Sequence, residues 1–359
     1  MNISVSCGGT GGHIFPGLAT ARVLQARGHA VTLWLAGRQV EQLSVTDWTG
    51  QLVTVRAEGL SLREPAKCAR ALYLFGRAVR TCHERMRTDR PAALLAMGSY
   101  SSVGPVLAAR SLRVPVVLHE ANVIPGRAIS MLARLASAVA TGFPETNEYL
   151  RHPHLSVTGL PIRVHPTATP SRLREEGRFT VLVMGGSQGA QRLNQIASEA
   201  MLELGRRNAA VRVIHLAGAR DEAAMRAAYA RVALPHTVFG FLSEMEQAYG
   251  AADLAVCRSG ASSCAELAAF GIPTLFVPFP HAARNHQFAN ARAMAAAGAA
   301  DVIEERDLTP ARLADYIEGM HRDSGKRAAM SAAARSRAML NAAERLATLV
   351  EEVGGRSGA

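Results

Sequence analysis

The feature that most constrains the fold of this chain is a pattern that occurs twice, near the start and near the middle. Residues 3–12 read ISVSCGGTGG, and residues 180–190 read TVLVMGGSQGA. In each, an apolar run of strand length enters a glycine-rich turn with a hydroxyl residue, and a helix-like stretch follows. The repetition predicts two similar α/β units, each beginning with a strand, a tight turn and a helix.

Other apolar runs extend this alternation of strands and helices along the chain. The predicted strands are residues 3–6, 30–35, 92–97, 115–118 and 137–140, then 180–184, 212–216, 254–256 and 273–277. Continuous apolar strands separated by helices are typical of parallel sheets that are covered on both faces. We therefore expect an α/β protein with two similar sheets that face each other across a cleft.

Length and loop composition indicate where the units meet. A chain of 359 residues is long enough for two or three domains of ordinary size. Residues 159–177, GLPIRVHPTATPSRLREEG, are rich in Pro, Thr and charge, and are interpreted as a linker. The last long helix-like stretch, residues 313–353, is Ala-rich and amphipathic.

The charge balance indicates a phosphate-bearing partner. The chain has 40 Lys and Arg against 29 Asp and Glu, and 17 of the basic but only 9 of the acidic residues lie within residues 1–162. Nucleic acid, anionic lipid and nucleotide would all suit this excess. A nucleic-acid binder is disfavoured, because aromatic residues make up only 5% and the basic residues form no single dense run.

Cysteine usage indicates a reducing compartment, and hydropathy argues against a membrane-spanning segment. The five cysteines are scattered without a Cys-x-x-Cys pair, which supports neither a disulfide framework nor a thiolate zinc site. The longest uncharged run, residues 91–109, contains two Pro and two Gly, which disfavour a membrane-spanning helix. We expect a soluble cytoplasmic protein without a transmembrane segment.

The two glycine-rich turns differ from common nucleotide motifs. In GGTGGH, residues 8–13, Gly9 and Gly11 are followed by His13 and Ile14, with no Gly at the third position of the dinucleotide fingerprint. No acidic residue ends the second strand either, so NAD is disfavoured. No Gly-Lys-Ser/Thr follows either turn. In GGSQGA, residues 185–190, backbone N–H groups at a helix start suit phosphate, and Ser187 adds a hydroxyl. Each turn alone could equally be a tight connection, and His13 a structural hydrogen-bond partner.

Further polar residues follow predicted strands, where open α/β sheets bind ligands. Tyr100 and Asn122 lie in two such turns of the first half. Glu266, six residues after Gly260, suits a ribose diol, with a helix-face charge as the alternative. His281, Asn285, His286 and Gln287 suit sugar hydroxyls; metal binding there is disfavoured, because no carboxylate or Cys accompanies the histidines at ligand spacing.

Residues 63–90 combine eight basic and three acidic residues with the apolar run LYLF. This composition fits an interfacial membrane patch. It fits equally an amphipathic helix with a solvated basic face.

Taken together, these motifs resemble the MurG-type transferases, the N-acetylglucosaminyltransferases of peptidoglycan synthesis. The similarity rests on GGTGGHIFPGLA, HEAN with PG two residues later, GLPIR, GGSQGA, CRSGASSCAELAAFG and PHAARNHQFANA, which run in order over most of the chain. The resemblance implies the GT-B glycosyltransferase fold, with two Rossmann-like domains whose parallel sheets face a deep cleft. It implies a membrane- and acceptor-side domain over residues 1–162, a UDP-sugar domain over 163–335, and a C-terminal helix over 336–359 that packs back toward the first domain.

The resemblance also assigns roles to individual residues. It makes His13 the catalytic residue and places Tyr100 and Glu120 on the acceptor side. Phe241 would form the uracil site with Leu242, Glu266 would take the ribose, and Ser187 and Arg163 the diphosphate. The full donor-binding set is Thr10, Gly11, Gly12, Asn122, Arg163, Ser187, Gln188, Leu242, Glu266, His286 and Gln287.

The reaction implied is inverting transfer of N-acetylglucosamine from UDP-N-acetylglucosamine to the O4 hydroxyl of lipid I, with no cofactor and no metal. His13 is the candidate base, with Glu120 or a substrate group as alternatives. The implied partners are UDP-N-acetylglucosamine, lipid I, the cytoplasmic face of the membrane, where the protein would be peripheral, and cell-wall synthesis and division proteins, but no nucleic acid. A sugar-nucleotide epimerase of the same fold, or a transferase with another acceptor, remains the alternative enzyme.

Overall fold

The structure is a computed structural model that describes residues 1–37, 41, 45–55, 65–167, 169–185 and 190–356, with only the backbone of 65–75. The chain divides into two compact units. The first comprises Met1–Arg163 with Met339–Ala359, and the second comprises Val164–Ala338. The chain enters the second unit within residues 159–177 and returns to the first between Ala338 and Met339.

The first unit is built on a parallel sheet that has seven strands over the described residues. Its strands are β1 (Asn2–Ser6), β2 (Ala30–Leu35), β3 (Gln51–Thr54), β4 (Ala93–Ala96), β5 (Val116–Glu120), β6 (Ala138–Thr141) and β7 (Leu155–Val157). They pair in the order β3-β2-β1-β4-β5-β6-β7. In the centre, Ile3 of β1 pairs with Val31 on one side and with Ala93 on the other.

Helices cover both faces of this sheet. They are α1 (Gly11–Ala26), α2 (Pro65–Thr88), α3 (Val103–Ser111) and α4 (Arg127–Leu132), with 3₁₀ turns at Tyr100–Ser102, Ala133–Leu135 and Pro144–Glu148. Successive side chains of a strand point to opposite faces. Leu95 accordingly packs in a core with Ile14 of α1, while its neighbour Leu94 packs in a second core with Met86 of α2 and Val106 of α3.

The second unit repeats this architecture with a parallel sheet of six strands in its described part. The strands are β8 (Phe179–Met184), β9 (Val211–Leu216), β10 (His236–Phe239), β11 (Leu254–Cys257), β12 (Thr274–Phe276) and β13 (Ala300–Val302), in the order β10-β9-β8-β11-β12-β13. The helices are α5 (Gln191–Arg206), α6 (Glu222–Tyr229), α7 (Met245–Ala251), α8 (Ala261–Phe270), α9 (His286–Ala296), α10 (Pro310–Arg322) and α11 (Ser324–Arg337), with 3₁₀ turns at Ala283–Asn285 and Glu305–Asp307.

The predicted fold class, two parallel-sheet α/β units, is confirmed. All nine predicted strands are present, and the structure adds β3, β7, β10 and β13. Each of these four additions lies at an edge of its sheet. Edge strands are partly exposed and short, so they lack the continuous apolar run on which the sequence prediction depended.

The helix-like stretch over residues 313–353 is divided among three helices: α10, α11 and a final helix, α12 (Ala342–Gly355). Asp323 separates the first two: its carboxylate accepts the backbone N–H of Lys326 at 2.7 Å and caps α11. The chain is extended at Ala338 and turns before α12. Leu346 and Val350 of α12 are buried in the core of the first unit, beside α1.

No helix among the described residues is both long and apolar enough to cross a membrane. The cysteines whose side chains are described, Cys7, Cys82, Cys257 and Cys264, are buried free thiols.

Candidate active site

In the first unit, the turn after β1 packs so closely that it needs glycine. Gly9 has φ +137°, and a Cβ on it would lie 2.9 Å from Ser99 Oγ and 3.4 Å from His13 Nδ1. Thr10 precedes α1, and its Oγ1 lies 3.1 Å from His13 Nδ1. The predicted residues Thr10, Gly11, Gly12 and His13 are therefore consecutive at the first turn of α1, with His13 beside the loop that follows β4.

A buried carboxylate that the sequence analysis missed supports this turn. Glu41 accepts the backbone N–H of Gly9 at 2.6 Å and that of Gly37 at 2.7 Å. Such charge-assisted bonds are stronger than neutral ones. They join the glycine-rich turn to the end of β2. The sequence signal is a lone acidic residue shortly after a strand, which does not by itself distinguish a buried carboxylate from a surface one.

The loop after β5 is organised by Glu120. Its carboxylate is buried and accepts three hydrogen bonds from its own loop: from Asn122 N at 2.9 Å, Asn122 Nδ2 at 3.2 Å and Gly126 N at 2.7 Å. Burial raises the pKa of the Glu120 carboxyl, and the bonds from Asn122 and Gly126 act in the opposite direction. These contacts make Glu120 a group that shapes the loop and orients the Asn122 amide.

The neighbouring His119 is held as a neutral imidazole. It is 1% exposed, and its Nε2–H donates to the backbone oxygen of Gly159 at 2.9 Å. Burial and, to a lesser extent, the nearby His13 lower the pKa of His119 to about 4, while the hydrogen bond to Gly159 acts in the opposite direction. Within the described part of the chain, no hydrogen-bond partner faces its Nδ1.

Two other predicted residues of the first unit lie on its surface. Tyr100 is 46% exposed at the start of a 3₁₀ turn. The Arg163 guanidinium lies 4.8 Å from the centre of the Phe15 ring, two residues along α1 from His13. Arg163, predicted for the diphosphate, thus belongs to the first unit.

In the second unit, the predicted residues follow the carboxyl ends of neighbouring strands. Gly185 follows β8, but Ser187 and Gln188 lie outside the described residues. Phe241, with 78% of its surface exposed, and half-buried Leu242 follow β10. Because the sheet is parallel, these loops emerge at the same edge as the loops after β11 and β12.

Glu266 lies half-buried on α8, the helix that follows β11. The hydroxyl of Tyr249 donates to Glu266 Oε2 at 2.6 Å. Tyr249 comes from α7 and is 3% exposed. No local pattern in the sequence indicates this tyrosine, because the two residues are 17 positions apart and only the packing of α7 beside α8 brings them together.

His286 and Gln287 begin α9 after two residues with positive φ, Arg284 and Asn285. His286 Nδ1–H donates to the Ala283 carbonyl at 2.7 Å, which in the neutral ring makes Nε2 an acceptor. Gln287 Oε1 accepts the backbone N–H of Phe279 at 3.0 Å, so its amide is held against the loop after β12. These orientations suit recognition of hydroxyl groups.

Arg258, a second residue that the sequence analysis missed, anchors the loop after β12. It is buried, forms an ion pair with Glu305, and donates to the carbonyls of Val277 at 3.0 Å and Pro278 at 3.2 Å. Breaking such a buried pair is costly. These bonds hold the loop after β12, which leads to His286 and Gln287 at the start of α9.

Among the described residues, no group of three or more His, Cys, Asp or Glu side chains is arranged to hold a metal ion.

Comparison with known proteins identifies relatives along nearly the whole chain. Residues 3–141 match the glycosyltransferase family 28 N-terminal domain, and residues 180–346 match the C-terminal domain of that family. The UDP-N-acetylglucosamine--N-acetylmuramyl-(pentapeptide) pyrophosphoryl-undecaprenol N-acetylglucosamine transferase of Halorhodospira halophila is 38% identical over 366 aligned positions, covering 98% of both chains. The Xanthomonas campestris pv. campestris protein of the same name is 38% identical over 362 positions, covering 99% of this chain and 83% of its own.

Solved structures agree with these relatives. MurG from Acinetobacter baumannii superposes with a TM-score of 0.81 at 27% identity, covering 98% of this chain and 99% of its own. The calicheamicin glycosyltransferase CalG4 has a TM-score of 0.73 at 15% identity, covering 100% of this chain and 99% of its own, which is a likeness of fold alone.

The neutral, buried His119 predicts an acid-sensitive first unit. Its folded pKa, about 4, lies below the ordinary 6.5, so the unfolded chain binds the proton more readily. The free energy of unfolding is therefore not reduced by His119 above pH 6.5, and it decreases by about 3 kcal/mol as the pH falls through 6.5 toward 4 and below. We expect His119→Gln, which keeps a donor for Gly159, to lose less stability over this range than the unsubstituted protein.

Urea unfolding at several pH values, followed by the fluorescence of Trp34 and Trp48, reports on the first unit because both tryptophans lie there. If the free energy of unfolding falls equally with pH in the two proteins, His119 is not the cause of the acid sensitivity.

Proposed function

We propose, from the premise that this chain belongs to glycosyltransferase family 28 and to its MurG-type N-acetylglucosaminyltransferases, that it transfers N-acetylglucosamine from UDP-N-acetylglucosamine to lipid I. The acceptor is undecaprenyl-pyrophosphoryl-N-acetylmuramoyl-pentapeptide, and the product is lipid II. The observation that carries the proposal is the half-buried Glu266 carboxylate on the helix after β11, the strand next to the glycine-rich turn of β8.

The donor nucleotide has a distinct partner for each of its parts. Glu266 accepts hydrogen bonds from the ribose diol, and the backbone of Leu242 reads the uracil ring. His286 Nε2 and the Gln287 amide bind sugar hydroxyls. The start of α5, which follows the glycine-rich sequence 185–190, binds the diphosphate, because backbone N–H groups and the helix dipole favour negative charge there.

The reaction inverts the anomeric carbon. The bond from this carbon to the UDP oxygen breaks, and the electron pair leaves with the diphosphate. The O4 oxygen of the muramoyl unit forms the new β-linkage and gives up its proton. The transition state has oxocarbenium character, so the protein must stabilise the charge that develops on the leaving diphosphate.

His13 is the candidate base for the O4 proton, because a neutral imidazole accepts a proton near pH 7. The Thr10 hydroxyl, 3.1 Å from His13 Nδ1, accepts from Nδ1–H in the tautomer whose Nε2 acts as the base. Glu120 is less suited to this role, since its carboxylate already accepts three hydrogen bonds from its own loop.

The proposed location is the cytoplasmic face of the membrane, as a peripheral protein, because a polyprenyl acceptor stays in the bilayer. The first unit carries most of the positive excess. In α2, Ala78, Cys82 and Met86 face the core, whereas Arg77 and Arg80 are exposed. The ion pair of Arg80 with Glu84 at 2.8 Å is exposed too, and pairs of this kind contribute little.

The transfer reaction is tested by UDP release from UDP-N-acetylglucosamine with and without a lipid I analogue. We expect release that depends on the acceptor, and a product with one added N-acetylglucosamine by mass spectrometry. An altered sugar in the absence of acceptor would instead establish the epimerase, and tight, salt-sensitive binding of nucleic acid without transfer would contradict both enzymes.

His13→Ala should lower kcat by about 10²–10⁴-fold, the usual contribution of a positioned base. The affinity for UDP should change little, because the substitution leaves Arg163 and the proposed UDP partners of the second unit in place. His154→Ala, which removes an exposed imidazole of the same unit, is the matched control. Near-normal turnover in a folded His13→Ala variant would exclude His13 from the chemistry.

Binding to anionic liposomes should depend on α2. Each basic residue near an anionic surface contributes about 1 kcal/mol, so replacing Arg70, Arg77 and Arg80 by Gln should abolish sedimentation with liposomes at low salt. Turnover should fall on membrane-embedded acceptor and persist on a short-chain, water-soluble one.

The control removes the same charge from the second unit, by replacing Arg206, Arg231 and Arg322, which are exposed. Full liposome binding by the α2 variant would place the membrane surface elsewhere. Equal losses on the two acceptors would mean that α2 serves the fold or the active site.

A further inference from the structure

We propose that Tyr249 is a positioning residue of the nucleotide site: its hydroxyl holds the Glu266 carboxylate in the orientation that accepts the ribose diol. The inference rests on the proposed function, because it presumes that Glu266 binds ribose. It adds a residue from a helix that contains none of the predicted site residues.

The tyrosine ring is fixed from more than one side. Tyr249 is 3% exposed, and its ring centre lies 5.1 Å from that of Phe270 at the end of α8, with the two planes tilted by 47°. Its hydroxyl is 4.0 Å from the sulfur of Met184, the last residue of β8. A ring packed in this way has few alternative rotamers, so its hydroxyl is a fixed point for whatever it contacts.

The Tyr249 hydroxyl, held in this way, contacts Glu266. The Oη to Oε2 distance of 2.6 Å is typical of a hydrogen bond from a hydroxyl to a carboxylate. A carboxylate can accept several hydrogen bonds through its two oxygens, so a bond from Tyr249 is compatible with bonds from two ribose hydroxyls. Tyr249 is also uncharged, so it orients the carboxylate without neutralising the charge that attracts the diol.

Orientation before binding has a measurable consequence. Ordering a flexible side chain upon binding opposes affinity, and a group that is already ordered avoids this cost. Glutamate has three rotatable side-chain bonds. Loss of the Tyr249 hydroxyl should therefore weaken UDP binding by about two- to tenfold, while any ligand that makes no use of Glu266 should bind as before.

The alternative role for Tyr249 is packing alone, in which Glu266 merely satisfies a buried hydroxyl. Packing predicts an effect on stability, or an equal effect on every nucleotide. Positioning predicts a loss confined to ligands that carry the ribose diol. Comparison of UDP with 2′,3′-dideoxy-UDP, which lacks both hydroxyls, separates the two roles.

The experiment measures the dissociation constants of UDP and 2′,3′-dideoxy-UDP by calorimetry for the full chain and its variants. In the unsubstituted protein UDP should bind more tightly, and in Glu266→Ala this preference should disappear. Tyr249→Phe removes only the hydroxyl; it should reduce the preference two- to tenfold and leave the affinity for 2′,3′-dideoxy-UDP unchanged. In a Glu266→Ala background, Tyr249→Phe should have no further effect on UDP.

The matched control is Tyr229→Phe, which removes another buried hydroxyl of the same unit, bonded to His215 at 2.9 Å. It should leave the preference intact. If Tyr249→Phe does not fold, Tyr249→Met, which also lacks the hydroxyl but fills the space with a flexible apolar chain, takes its place.

The outcomes distinguish the two levels of the inference. An unchanged preference in folded Tyr249→Phe or Tyr249→Met, with loss of preference in Glu266→Ala, overturns the positioning role and leaves the proposed function intact. Retention of the preference in Glu266→Ala would remove the ribose assignment and with it the role of Tyr249. Equal weakening of both nucleotides by Tyr249→Phe would assign the tyrosine to packing.

Discussion

The common direction of the strands in each sheet is the constraint on which the rest of this structure depends. All strands of a unit run parallel, so every strand delivers its following loop to the same edge of its sheet. In the first unit this gathers the turns after β1, β4 and β5, and Ser99, after β4, lies so close to Gly9, after β1, that a Cβ there would be 2.9 Å from the Ser99 Oγ. In the second unit it gathers the loops after β8, β10, β11 and β12. The loops of each candidate site are brought together by the parallel arrangement of the strands that precede them.

Buried polar side chains then give those loops a definite shape. Glu41 accepts two backbone N–H groups of the first unit, and Glu120 accepts two more and a side-chain amide. In the second unit Arg258 donates to two backbone carbonyls. A buried charge without partners would be strongly unfavourable, and each of these groups has its partners in a loop. The hydrogen bonds that stabilise each buried charge also hold the backbone of its loop in place. The candidate ligand-binding residues therefore lie on loops of defined shape.

The proposed chemistry uses this frame in two ways. Nucleotide recognition relies on donors and acceptors held in place before binding, such as the His286 ring bonded to Ala283 and the Gln287 amide bonded to Phe279. Proton transfer relies on imidazole kept neutral. His119, buried in the first unit, illustrates how burial lowers the pKa of an imidazole and keeps it neutral. In the proposal, the candidate base His13 lies in the first unit, whereas Glu266, His286 and Gln287, which are assigned to the donor, lie in the second.

The sequence by itself determined the fold class, the central strands and most of the candidate site. Strands buried on both faces must be apolar along their whole length, and glycine is required where the backbone approaches other atoms closely, so both leave a local mark. The edge strands β3, β7, β10 and β13 leave no such mark, and neither do the helix breaks at Asp323 and Ala338. Only the tertiary structure decided the partners of Glu120 and Glu266 and identified Glu41, Tyr249 and Arg258. A hydrogen bond between residues 17 or 47 positions apart depends on which helices and loops pack together, and no local pattern encodes that packing.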